Sequence, residues 1–109
     1  MCYLCKRKQT VMRIISFKIL REFYEREPNA EPAIKEWYKK VEKANWNNFS
    51  DIKKSFNSVD AVGNMRYVFD IKGNDFRIVA KVFFKIKSVY LRFVGTHKEY
   101  DKIANIDKI

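Results

Sequence analysis

Between Arg66 and Asp101 the chain alternates apolar and polar residues in three runs broken by short polar stretches, a pattern that admits little besides a sheet built from hairpins. In the first run Tyr67, Phe69 and Ile71 alternate with Arg66, Val68 and Asp70, as expected for a strand buried mainly on one face. Lys72-Gly73-Asn74-Asp75 then reads as a hairpin turn, with Gly73 free to take positive φ. The second run puts Phe76, Ile78, Ala80, Val82 and Phe84 on one face and Arg77, Val79, Lys81 and Phe83 on the other. After a turn over Lys85 to Ser88, Val89, Leu91 and Phe93 alternate with Tyr90, Arg92 and Val94. Alternation therefore predicts one basic, aromatic-edged surface of Arg77, Lys81, Tyr90 and Arg92. Solubilising charge scattered over the wet face of a sheet fits the same alternation.

The third run leads into Thr96-His97-Lys98-Glu99, which has the form of a capping box. A helix should begin there and continue through Tyr100, Ile103, Ala104 and Ile106. His97, the one histidine of the chain, then stands at the first helical position, where unpaired N–H groups and partial positive charge attract phosphate. Histidine titrates near neutral pH and serves as a general acid or base. Alone it is more often a surface or packing residue, but Tyr100 and Asp101 follow directly.

The first half reads as helical. Arg13 to Ile15 is a short strand, and Ser16 can cap a helix whose apolar positions are Phe17, Leu20, Phe23 and Tyr24. That helix should stop before Pro28. Asn29 offers a new cap, Pro32 falls in the first turn, and Ile34, Trp37, Tyr38 and Val41 make the stripe of a second helix. Lys35, Lys39, Lys40 and Lys43 read as its solvated face. Ser50 can cap a short helix through Phe56, and residues 57–64 read as a loop.

With 109 residues, one domain is expected. Aromatics at 16% and only three glycines and two prolines describe a folded chain rather than a linker. A formal net charge of +10 points toward a polyanion or an acidic protein. No apolar run approaches the roughly 20 residues that cross a bilayer, and the opening segment lacks the apolar core of a signal peptide, so the expected place is the cytoplasm. Cys2 and Cys5 form a lone C-x-x-C, with no second pair to complete a zinc site and no strand before it to suggest a redox motif. Residues 1–11 are therefore expected to be an extension, with the domain spanning 12–109. Its Lys6-Arg7-Lys8 cluster can add phosphate affinity.

The runs YVFDIKGNDFRIVAKVFF and VYLRFVGTHKEYDKI resemble the HigB family of type II toxin–antitoxin toxins, within the RelE-like superfamily of messenger RNA interferases. The amino-terminal stretch MRIISFKILREFYEREPNAEPAIKEWYKKVEKANW is similar to the family's opening helices, so the likeness covers roughly Met12 to Lys108. Gly73, Asn74 and Arg77 in a GN-x-x-R pattern, together with Thr96 to Asp101, make it specific. The resemblance implies an α+β, RelE-like fold: an amino-terminal strand and helical hairpin packed on a mainly antiparallel sheet, with a short carboxyl-terminal helix. It also implies a toxin that enters the ribosomal A site and cleaves translated mRNA without a metal or other cofactor. Its partner would be a helix-turn-helix antitoxin of the HigA kind.

Such a cleavage needs a base for the ribose 2′-hydroxyl, cations for the phosphorane and an acid for the leaving 5′-oxygen. Arg77 and Lys81 are expected to stabilise charge, with Lys72, Asn74, Arg92 and Lys98 as outer RNA contacts. His97 is expected to transfer the proton, with Tyr100 or Asp101 as its partner, although Tyr100 can instead stack on a base. Two readings compete: a non-enzymatic nucleic-acid or ribosome-binding module, and a DNA gyrase inhibitor of the ParE type. A third is a binding protein whose basic surface serves only an acidic antitoxin.

Overall fold

The computed structural model describes residues 12–71 and 75–103. The predicted turn residues Lys72, Gly73 and Asn74, the extension 1–11 with Cys2 and Cys5, and the predicted helix residues Ala104 and Ile106 lie outside them. The described chain runs β1 (Arg13–Ile15), α1 (Phe17–Arg26), a 3-10 turn (Pro28–Ala30), α2 (Glu31–Lys43), α3 (Phe49–Ser55), β2 (Val59–Gly63), β3 (Arg66–Ile71), β4 (Phe76–Phe83), β5 (Ser88–Thr96) and α4 (His97–Asp101). The strands form one sheet in the order β1-β5-β4-β3-β2, antiparallel except where β1 lies parallel to β5. This is the α+β arrangement that the resemblance implied. No helix among the described residues is long and apolar enough to cross a membrane.

The helices cover one face of the sheet. Leu20 and Phe23 of α1, Ile34, Trp37 and Val41 of α2, and Ile52 of α3 pack against Phe69, Ile78, Ala80, Val82, Val89 and Leu91 in a single core. Apolar spacing of three and four residues brings the first two helices down on the sheet, and Lys35, Lys39, Lys40 and Lys43 stay exposed on the far side of α2. Phe69 sits among three aromatic rings, 5.2 Å from Phe56, 5.4 Å from Trp37 and 6.2 Å from Trp46. The opposite face of the sheet carries Arg66, Val68 and Asp70 from β3, and Arg77, Val79, Lys81 and Phe83 from β4, as their pairing requires.

Several local expectations are corrected. Ser16 does hold the N-cap position of α1, but at φ 75° its side chain makes no capping bond and its carbonyl accepts the Ile19 N–H at 3.1 Å. The cap position of α2 is Ala30 rather than Asn29, because a 3-10 turn over Pro28–Ala30 comes first, while Pro32 does fall in the first turn. For α3 the cap is Asn48 rather than Ser50, its side chain accepting the Asp51 N–H at 3.0 Å. Residues 59–63 are a strand, not a loop, paired with β3 through a tight turn in which Asn64 and Met65 both have positive φ. Only Val59 of that edge strand is buried, which is why its alternation is faint. Finally, α4 ends at Asp101, where the Lys102 N–H folds back on the Glu99 and Tyr100 carbonyls.

A bulge separates the two ends of the β4–β5 pair. Val79 faces Phe93 and Ala80 faces Leu91, so Arg92 is the extra residue. Beyond it the faces exchange. Val94 enters the core and Phe93 turns to the other face beside Val79, reversing what simple alternation predicted.

Candidate active site

The start of β4 and the end of β5 meet where the chain enters α4. Asp70 of β3 and Gly95 of β5 flank Arg77 on either side, so the Arg77 side chain emerges between an acidic residue and a residue with no side chain. Gly95 leaves room needed locally: a Cβ there would come within 2.7 Å of Glu99 Oε1 and of Phe93 Cζ. The predicted capping box is present. Thr96 Oγ1 accepts the Glu99 N–H at 3.2 Å, and Glu99 Oε1 accepts the Thr96 N–H at 2.9 Å.

This cap aims the next residue at the arginine. His97 Nε2 lies 2.8 Å from Arg77 Nη2, and His97 Nδ1 lies 3.0 Å from Asp101 Oδ2. A guanidinium can only donate, so Nε2 accepts, the imidazole proton resides on Nδ1, and Nδ1–H donates to Asp101. On the other side Arg77 Nε stands 2.9 Å from Asp70 Oδ1. That contact is an ion pair by distance whose N–H direction falls short of a hydrogen bond, since neither buried atom has a hydrogen-bond partner among the described residues. Asp70 and Arg77 are mostly buried, with side chains 17% and 20% exposed, whereas His97 and Asp101 are 47% and 57% exposed. The Arg77 guanidinium also lies over the Tyr100 ring, 4.6 Å from its centre.

Four expected site residues, Arg77, His97, Tyr100 and Asp101, are thus brought together. Lys81 is on the same face but four residues along β4, about 13 Å away by strand rise, and does not join them. Arg92 stands exposed in the bulge, and Lys98 is exposed on α4. Lys72 and Asn74 lie outside the described residues. Sequence reasoning overlooked Asp70, which the β3–β4 register pairs with Arg77.

The helix carrying His97 is tied to the rest of the protein through Glu99. Arg26 Nη1 lies 3.5 Å from Glu99 Oε2, linking the end of α1 to α4. The Thr96 backbone N–H, helped by Arg26 and opposed by partial desolvation, holds the Glu99 carboxyl below its ordinary range. A lowered carboxyl pKa stabilises the fold above the ordinary glutamate range, and that contribution fades as pH falls through the lowered value. We expect Glu99→Gln to melt below the parent at pH 7. The gap should close on acidification in thermal unfolding followed by circular dichroism.

Residues 30–103 match the family described as the HigB toxin, a RelE-like toxic component of a toxin–antitoxin system. The chain is 34% identical over 92 residues to the mRNA interferase toxin HigB of Escherichia coli, covering 83% of this chain and 88% of the relative. An mRNA interferase HigB from Shigella flexneri matches to the same extent, 34% over 92 residues, with 83% and 88% covered. Another from Escherichia coli O6:H1 is 28% identical over 95 residues, covering 85% and 92%. Fold and sequence agree, and the chain belongs to the HigB toxin family.

Proposed function

We propose that this toxin is an mRNA interferase, a metal-independent endoribonuclease that cuts translated mRNA in the ribosomal A site and is neutralised by a helix-turn-helix antitoxin. The observation that carries the reading is the chain of contacts Asp101–His97–Arg77–Asp70, which puts an imidazole and a fixed guanidinium side by side at a solvent-reachable edge. The names of the relatives favour this chemistry over gyrase inhibition. Working on ribosomes places the toxin in the cytoplasm, and residues 12–109 form the active domain with 1–11 outside it.

Cleavage begins when a phosphate draws Arg77 Nη2 from His97 and exposes the Nε2 lone pair. His97 then takes the proton of the ribose 2′-hydroxyl as O2′ attacks the neighbouring phosphorus. Arg77 stabilises the phosphorane, and Asp101 holds the imidazolium that forms. The P–O5′ bond breaks, with Tyr100 our candidate for the acid that protonates the leaving oxygen. The products are a 2′,3′-cyclic phosphate and a 5′-hydroxyl. Because the guanidinium already supplies positive charge, this scheme calls for no metal. Lys72, Asn74, Arg92 and Lys98 hold neighbouring phosphates.

Asp70 fixes the direction of Arg77. Replacing it with alanine leaves the guanidinium without its counter-ion, which should cost about 2 kcal/mol of stability in a urea titration. Cleavage should fall about tenfold or more, because a misplaced charge stabilises the phosphorane poorly. Inducing the toxin and mapping new mRNA 5′ ends tests the function as a whole: cuts inside translated frames are expected, and intact transcripts in arrested cells would refute it.

A further inference from the structure

Lys81 was expected beside Arg77, yet its backbone stands about 13 Å further along β4 and its Nζ turns to Phe83, away from Arg77. Its surroundings are different in kind. Lys81 Nζ lies over the Phe83 ring, 5.2 Å from the centre, and the Phe83 and Tyr90 rings meet edge to face at 5.3 Å and 89°. Across the sheet Lys81 pairs with Arg66 on β3 and Tyr90 on β5, so two cations and two aromatic rings share one patch of the face that bears Arg77. All four are only part-buried. Next to Phe83 opens an apolar cavity of about 310 Å³, bordered by Met65 and Ile86, which are 47% and 58% exposed.

Cations interleaved with part-exposed aromatic rings are what single-stranded nucleic acid requires, the cation taking a phosphate and the ring a base. We propose that Lys81, Phe83 and Tyr90 form a second RNA subsite, which grips the base and phosphate of a nucleotide adjoining the scissile one in the substrate strand. The chain's net charge of +10 suits a polyanion, and the apolar cavity that Phe83 lines gives a base space beside the ring. Arg77 and His97 perform the cut, and this patch sets which neighbouring nucleotide is held well. The proposal rests on the interferase reading for the identity of the strand.

The test measures binding without cleavage. A 2′-O-methyl oligoribonucleotide lacks the attacking hydroxyl, so fluorescence anisotropy with the purified toxin reads affinity alone, whatever becomes of the catalytic assignment. Abasic sites are moved one by one through the strand. For the parent protein, removing the base at one position should weaken binding about tenfold. Phe83→Leu keeps the apolar bulk; it should bind the intact strand about tenfold more weakly and ignore the abasic site. Lys81→Gln should lower the slope of log K against log salt by about one. Parent-like affinity and salt dependence in both variants would overturn the proposal. Weakened binding of the antitoxin alone, or of vacant ribosomes alone, would overturn it too, reassigning the patch to a protein or to ribosomal RNA. An uncut transcriptome in living cells would instead strike the interferase reading and leave these affinities standing.

Discussion

Replacing His97 with alanine is expected to lower ribosome-dependent mRNA cleavage by about 10²- to 10⁴-fold, the usual contribution of a positioned general base, and to release cells from growth arrest. The side chain is 47% exposed and contributes nothing to the core, so the melting temperature should stay close to the parent's. Arg77→Ala should cost cleavage about 10²- to 10³-fold by removing charge stabilisation. Arg77→Lys should rescue little of that. One ammonium cannot meet Asp70 at 2.9 Å and His97 at 2.8 Å while covering Tyr100, whereas the guanidinium fork does all three. In the proposed mechanism the two residues act as a unit, so the double variant should be little worse than either single one. A merely RNA-binding module would behave otherwise, losing affinity in small steps with each charge removed and showing no special dependence on His97.

The second large effect concerns the core. Phe69 is fully buried and touches the rings of Trp37, Trp46 and Phe56, which come from α2, from the stretch after it and from the end of α3. Phe69→Ala should cost about 3–5 kcal/mol, made up of lost transfer energy and the cavity left among rings that cannot collapse inward. Against a total stability of about 5–15 kcal/mol, that is a large share. Urea denaturation of the purified variant should show a much lower midpoint with a similar slope. A Leu substitution retains most of the volume and should cost about half as much or less. Phe69→Ala should also lose activity at about 37 °C through unfolding alone, which separates it from His97→Ala, a folded and inactive protein.

The strands β3, β4 and β5 and the helices α1 and α2 were legible because each turns most of its apolar residues to one face, which imprints a period of two or of nearly four on the sequence, even though Val68 and Val79 on the other face of the sheet are buried too. The edge strand β2 left a fainter mark, since only Val59 among its residues is buried. The cap of α4 was legible from Thr96 and Glu99, because both partners of that box lie three residues apart in sequence. Caps that depend on how the chain approaches the helix were not. Ser16 and Asn29 are suitable capping residues, yet the backbone takes a left-handed turn at one and a 3-10 turn at the other.

The site was half legible. Thr96 to Asp101 is local, so the sequence places His97, Tyr100 and Asp101 together at once. Bringing Arg77 to His97 depends on the β4–β5 register, which the bulge at Arg92 shifts by one residue, and nothing in that run announces a bulge. The same shift carries Phe93 out of the core and Val94 into it. Alternation groups Lys81 with Arg77 because it reports the face and not the distance along it. The structure separates the Arg77–His97 contact at one end of that face from a cation and two rings further along.

The chemistry of the cut ends tests attack by the ribose most directly. Purified toxin, programmed ribosomes and an mRNA labelled at both ends should yield fragments with a 5′-hydroxyl and a 2′,3′-cyclic phosphate. A single 2′-deoxy substitution on the nucleotide that supplies the attacking hydroxyl should stop the reaction at that position. Fragments bearing a 5′-phosphate, or full cleavage of the 2′-deoxy substrate, would mean that water and not the ribose attacks. Either result would contradict His97 as the base for the 2′-hydroxyl and Arg77 as the cation that stabilises the resulting phosphorane.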